Sequence, residues 1–283
     1  MGEGVKVRHV VQRICLENRS FPYGLGRYLQ RALNEDVVSP RVQNGLLTDE
    51  HIQALTHACL IGQEQASELI SEWLSLGVDI EDIYLEGIVP TAHILGQKWC
   101  DDEVDFASVT LVNVCLRQLL IQYSEVFQIK AHQAAKGLSC FIVGEFDGQH
   151  TLGSFMLGEF FKRYGWQVRA DLCETGGDLL KMMSCDWFDL LVISLTTEAQ
   201  LLQIRRLLPL VKKISTNSQL KIMAGGPLVQ QYPDLMDDLG VVVVTQDARE
   251  AQKTALDLVR RPSLVVKHEL TALNRDYPLE INA

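Results

Sequence analysis

Hydrophobic positions follow two different periods in this 283-residue chain, and the change falls near residue 137. Between residues 48 and 130 apolar side chains recur every three or four positions, the spacing that gives a helix one buried face. Thr48 followed by Asp49 and Glu50 predicts a helix start. A hydroxyl can accept from the free N–H groups there, and carboxylates suit the positive end of the helix dipole. That helix runs to about residue 61, and a second covers 63–76 with Gly77 as its left-handed stop. Asp79 is the expected cap of a third, in which Pro90 predicts a kink or break because it has no N–H to donate. Glu103 or Asp105 opens a fourth, along which Phe106, Val109, Val112, Leu116, Leu119, Leu120, Tyr123 and Phe127 fall at helical spacing. Four such helices joined by short loops predict an antiparallel bundle.

After a polar hinge at 131–137 the period shortens. Apolar runs at 138–143, 166–170, 188–195, 220–224 and 241–245 alternate with helical patterns at 151–164, 177–184, 198–214, 229–239 and 249–259. Near-continuous apolar strands alternating with amphipathic helices predict a parallel sheet covered on both faces. The fold class is therefore α/β, an N-terminal four-helix bundle followed by a doubly wound, five-stranded, flavodoxin-like domain. Ligands of such sheets sit at the carboxyl ends of the strands. The expected divisions are an extension at 1–47, the bundle at 48–130, the sheet domain at 137–261 and a tail at 262–283. Within the extension, 7–16 and 25–33 predict short helices and 40–45 a linker.

Composition removes several function classes. The longest apolar stretches, near 189–195 and 241–244, fall well short of the ~20 residues of a membrane span, and the N-terminus has no signal-peptide apolar region. A cytoplasmic protein without a membrane partner is expected. Seven scattered cysteines, with no Cys-x-x-Cys, read as buried free thiols rather than a zinc site. A net charge of −10 argues against wholesale nucleic-acid binding through a basic surface. The charge is uneven, since residues 1–44 carry seven Lys/Arg against four Asp/Glu. This basic arm is either a contact for DNA or an acidic partner, or a solvated helix face.

Three loops at the expected ligand edge carry candidate chemistry. The first, Gly148-Gln149-His150-Thr151-Leu152-Gly153, puts a single imidazole just beyond the first strand. The second, Ser194-Leu195-Thr196, offers short hydroxyls after the third strand. The third, Gly225-Gly226, follows the fourth, where paired glycines allow close approach of backbone or ligand. A ligand reaching all three is long and flat-sided. Neither G-x-G-x-x-G nor G-x-x-x-x-G-K-[ST] occurs, so dinucleotide and nucleoside-triphosphate readings have no motif support.

A helical bundle before a flavodoxin-like domain, with His-x-x-Gly, Ser-x-Thr and Gly-Gly after strands one, three and four, resembles the cobalamin-binding modules. These occur in methionine synthase, corrinoid methyltransferase proteins and CarH-type light-sensing repressors. The resemblance covers about residues 50–260. It implies His150 as the lower axial cobalt ligand, a role neutral imidazole suits. It further implies that the nucleotide tail of the cofactor runs between Ser194–Thr196 and Gly225-Gly226, and that the bundle covers the upper face. Trp99 matches the aromatic that such bundles place over that face; read without the family, it is a bundle core residue.

Two departures bear on function. The family motif is Asp-x-His-x-x-Gly, and the Asp is Gly148 here. That carboxylate normally orients the imidazole and raises its basicity; Asp147 and Glu145 are the available substitutes. The Glu-His pair that CarH-type proteins carry about ten residues past the Trp is Val109-Thr110, which leaves His93 or water as the upper ligand. Residues 99–110 and Gly-Gln-His-Thr-Leu-Gly look like the PpaA/AerR group, cobalamin-binding photosynthesis regulators that by relation to the AppA domain can instead take heme. The resemblance implies a light- or redox-responsive antirepressor acting on a CrtJ/PpsR-type transcriptional repressor and holding adenosyl-, methyl- or hydroxocobalamin. A corrinoid methyl carrier is the alternative. No catalytic acid–base pair or nucleophile stands out, so a non-enzyme is expected.

Overall fold

A computed structural model describes residues 40, 42, 46–146, 152–170, 173–232, 239–243 and 248–260. The expected helices at 7–16 and 25–33, the tail at 262–283, residues 244–245 and most of 232–239 lie outside the described residues.

The helical half starts with α1 (Asp49–Ile61) and α2 (Gln63–Ser75). Thr48 caps α1 through an unusual partner. Its backbone N–H donates to Nδ1 of His51 at 3.1 Å, and its hydroxyl lies 2.8 Å from the same atom. An imidazole three residues into the helix thus takes the place usually held by Glu or Gln. Gly77, at φ +90°, ends α2 in the left-handed conformation. Asp79 accepts from the Glu81 N–H at 3.0 Å and opens α3 (Ile80–Asp82). A π-helical turn, Ile83–Ile88, leads without interruption into α4 (Val89–Cys100). Pro90 cannot bond the carbonyl one turn earlier, and the break expected there takes the form of this wider turn. Asp105, rather than Glu103, caps α5 (Phe106–Gln122), accepting from the Ser108 N–H at 2.8 Å. A short α6 (Ser124–Gln128) follows. Leu55, Ile70, Trp73, Tyr84, Leu95, Leu116 and Phe127 fill the space between these helices and are fully buried.

The second half alternates β1 (Ser139–Val143), α7 (Leu152–Arg163), β2 (Gln167–Arg169), α8 (Gly176–Cys185), β3 (Leu190–Ser194), α9 (Glu198–Ile214), β4 (Lys221–Gly225), α10 (Pro227–Gln231), β5 (Val242–Val243) and α11 (Ala248–Arg260). All strand pairs are parallel, in the order β2-β1-β3-β4-β5. This is the expected flavodoxin-like sheet, with one apolar cluster on each face. Of the six described cysteines, Cys59, Cys115, Cys140 and Cys173 are buried, as expected, while Cys100 and Cys185 are exposed because they fall on the last turns of α4 and α8. No helix of the described residues is long and apolar enough to cross a membrane.

The two halves meet along α7. Met156 and Phe160 belong to the bundle's core cluster, and Leu152 and Phe155 pack against it. Phe127 stacks on Tyr84 at 4.5 Å and meets Phe160 edge-on at 4.9 Å. Polar groups close the same interface. Glu159, 1% exposed, accepts from the Ser124 hydroxyl at 2.5 Å and from the Gln128 amide at 3.2 Å. On α11, Arg249 donates to Asp82 at 2.6 Å.

Candidate cofactor site

The strand ends bring two of the three candidate loops together. Ser194 is the register partner of Gly225, so the second and third loops leave the sheet side by side. The Leu195 N–H donates to the Gly225 carbonyl at 2.8 Å, and the Leu195 carbonyl accepts from the Leu228 N–H at 3.2 Å. Gly226 stands at φ +100°, and a Cβ there would lie 2.5 Å from the Leu195 carbonyl oxygen. The close approach that this glycine permits is therefore between the two loop backbones. The Leu195 side chain is fully buried in the sheet core, which leaves Ser194 and Thr196 as the exposed chemistry of that loop.

Gln200 holds the loop in shape. Buried to 2% exposure on the first turn of α9, its amide nitrogen donates to the Ser194 carbonyl at 2.7 Å. Its amide oxygen accepts from the Thr196 N–H at 2.9 Å. One side chain thus satisfies a donor and an acceptor that the end of β3 leaves over. Thr197 caps α9 and donates from its hydroxyl to Glu145 at 3.3 Å, which ties the residues after β1 to the loop after β3. Glu145, one of the two carboxylates available to replace the family's Asp, is directed to this neighbouring loop. Gln200 and Thr197 carry no family signature; the only signal for them in the sequence is a Thr-x-x-Gln pattern at a helix start, which reads as ordinary capping.

Gly148, Gln149, His150 and Thr151, together with Asp147, lie outside the described residues. The residues on either side of them are placed. Phe146 is buried in the sheet core and Leu152 packs against the bundle. Gly153 is exposed on the first turn of α7. Trp99, on the last turn of α4, is 46% exposed and 6.4 Å from the 69%-exposed Phe106 ring, so it is not a bundle core residue. His93 is also exposed on α4. Val109 packs against the bundle core, and the Thr110 hydroxyl is used within its own helix, donating to the Phe106 carbonyl.

A corrinoid makes three demands that the described residues can be tested against: small residues where its tail enters, polar groups for its amides and phosphate, and an apolar surface over its ring. Ser194 and Gly225 are adjacent, small and half-buried. The hydroxyls of Ser194 and Thr196 have no hydrogen-bond partner among the described residues, and Trp99 and Phe106 supply exposed aromatic surface. These residues fit the group. No cluster of three or more His, Cys, Asp or Glu side chains able to hold a metal ion occurs among the described residues.

Comparison with known proteins agrees. Residues 141–256 match the B12 binding domain family. Over 181 residues the chain is 26% identical to a Rhodobacter capsulatus protein described as the uncharacterized 20.5 kDa protein in the bchF-crtJ intergenic region, a match spanning 63% of this chain and 93% of that one. The monomethylamine corrinoid protein of Methanosarcina barkeri superposes with a TM-score of 0.63 at 17% identity, over 74% of this chain and 97% of its own, a likeness of fold. The sheet half of this chain is a cobalamin-binding module, its residues 141–256 being similar to the B12 binding domain.

Proposed function

We propose that this chain is a cobalamin-dependent regulator, an antirepressor that answers light or redox state by changing its hold on a CrtJ/PpsR-type transcriptional repressor, and that it is not an enzyme. The observation that carries the reading is the wiring of α7. Leu152, two residues after His150, packs against the bundle core, and the same helix ends on Glu159 and Arg163, which bond the bundle directly. A ligand that favours one placement of the His150 loop therefore biases the fit of bundle on sheet, which is what a two-state regulator requires. Support of a second kind is the R. capsulatus relative, whose gene neighbourhood includes crtJ.

In this reading His150 would hold the cobalt, Ser194, Thr196 and the Gly225-Gly226 backbone would receive the nucleotide tail, and Trp99 would lie against the ring. The bound group supplies a metal centre whose ligation responds to light or reductant. The chain's own residues hold it, exclude water and read its state through α7. Gly148 leaves His150 without the carboxylate that tunes cobalt for rapid changes of ligation, which weighs against a methyl carrier. Cytoplasmic location follows from the role, as does contact of the basic 1–44 segment with the repressor or with DNA.

The test is repressor binding. With purified repressor, the cobalamin-loaded chain is expected to bind with an affinity that changes at least about tenfold between dark and light or between reduced and oxidised states. Equal binding with and without cobalamin in every state contradicts the reading. Methyl transfer from the loaded chain to a partner enzyme favours the carrier instead, and a heme-type spectrum favours the heme alternative.

A further inference from the structure

Helix α9 turns a mixed basic and aliphatic face outward. Leu202, Arg206, Leu210 and Lys213 recur at three- and four-residue spacing and so share one side of the helix. Leu202 is 58% and Leu210 46% exposed, with Ile214 at the end of the same face. Neither Arg206 nor Lys213 has an ion-pair partner among the described residues. Across the helix four bases oppose the single acid Glu198, a local excess of positive charge on a chain of net charge −10.

The opposite chemistry stands on the turn between α4 and α5. Asp101, Asp102 and Glu103 are consecutive and exposed, and none is paired with a cation among the described residues. The turn is rigid. Asp102 sits at φ +57°, the Glu103 N–H donates to the Lys98 carbonyl at 2.8 Å, and Asp101 accepts from the Gln97 amide at 3.0 Å. Phe106 lies beside the carboxylates with 69% of its surface exposed.

We propose that these two patches are each other's partners in different molecules: the acidic α4–α5 turn of one copy docks on the basic, leucine-bearing face of α9 in a second copy. Carboxylates meet Arg206 and Lys213, and Phe106 meets Leu202 and Leu210. Like-charged chains repel at a distance, so an association of this protein with itself requires a local match of opposite charge, and this turn and this helix supply one. A DNA duplex would meet the basic residues of α9 with phosphate but offers no apolar counterpart to Leu202 and Leu210, which Phe106 of a docked turn supplies. A single contact of this size is small for a lasting complex. A two-fold axis uses it twice, because each copy carries both patches. Phe106 also borders the aromatic surface offered to the corrin, but the charged residues of the contact lie outside the cofactor edge, so the charge-reversal test separates this proposal from the cobalamin reading.

Sedimentation of the full chain over a range of concentrations at low salt tests it. Reversible self-association is expected, weakened at least about tenfold on going to high salt because exposed charges are screened. Arg206→Glu with Lys213→Glu, and separately Asp101→Lys with Glu103→Lys, should each leave a monomer with unchanged circular dichroism. An equimolar mixture of the two double variants should associate again, since each reversed patch then meets a complementary one. A wild type that is monomeric throughout, variants that associate like wild type, or a mixture that stays monomeric each overturns the proposal. So does a monomeric wild type that binds phosphatidylglycerol vesicles or duplex DNA through Arg206 and Lys213, an outcome that assigns the face to an anionic surface.

Discussion

The Arg163 guanidinium on α7 lies 2.9 Å from the Glu81 carboxylate on α3, and it is one of the few charges taken out of water among the described residues. It crosses from the sheet half to the bundle, donates to the Phe127 carbonyl and sits 4.6 Å above the Phe127 ring. Arg163→Met should keep the packing of the side-chain stem while leaving Glu81 with only the longer 3.5 Å contact to Arg249. Breaking a buried pair by removing one partner costs on the order of 3 kcal/mol. Urea unfolding should show that loss, and the double variant with Glu81→Gln should recover part of it.

Gly226 is required by conformation and by space. In Gly226→Ala a methyl group would meet the Leu195 carbonyl oxygen at 2.5 Å in a backbone of φ +100°. The strained backbone alone costs about 1–3 kcal/mol, and the collision adds to it. The expected outcome is a lower melting temperature together with weaker cobalamin retention, because the loops after β3 and β4 must separate. Unchanged stability in that variant would mean that the two loops are not held as described.

Gln200→Leu tests the brace inside the β3 loop. It preserves volume but leaves the Ser194 carbonyl and the Thr196 N–H without their partner. A buried polar group left unpaired costs about 1–3 kcal/mol. Cobalamin affinity should fall with stability, since Ser194 and Thr196 would no longer be presented in a fixed geometry. Equilibrium dialysis of the variant against wild type reads this directly.

Asp79 gives the acid limb of stability a defined contribution. The hydrogen bond from Lys130, at 2.6 Å, holds its carboxyl below the usual carboxylate range. A lowered folded value means the contribution is fully present above the unfolded value of about 3.9 and is lost as pH falls through the folded one. Asp79→Asn keeps an acceptor for the Glu81 N–H but removes the charge, so its urea midpoint should drop slightly at neutral pH and converge with wild type only as pH falls through the depressed folded value. The pair is largely exposed, and the difference should stay under about 1 kcal/mol.

What could be read from the sequence was what local chemistry determines. The helix at 198–214 is found at its expected bounds because Thr197 caps it and Leu201, Ile204, Leu208 and Val211 recur at helical spacing on its buried face. The parallel pairing follows from the alternation of strand and helix, and the sheet takes the flavodoxin-like order β2-β1-β3-β4-β5. Legibility ends where a residue acts across the fold. Arg163 at a helix end reads as a complement to the helix dipole, and nothing nearby in the sequence announces Glu81, 82 positions away. Gln200 looks like a solvated helix residue until the β3 loop is folded over it. Trp99, open in the sequence to core and surface readings, is on the surface, 46% exposed on the last turn of α4. Cys100 and Cys185, which the sequence reads with the other cysteines as buried thiols, are exposed by the same geometry of helix ends.

The measurement that bears most directly on the central claim is the absorption spectrum of the full chain reconstituted with hydroxocobalamin, wild type beside His150→Ala, after removal of unbound cofactor. The account predicts that wild type retains about one cobalamin per chain with a spectrum altered by imidazole ligation, and that His150→Ala loses that alteration and binds at least about tenfold more weakly. A wild type that emerges colourless, or a variant whose spectrum and affinity match those of wild type, would contradict it.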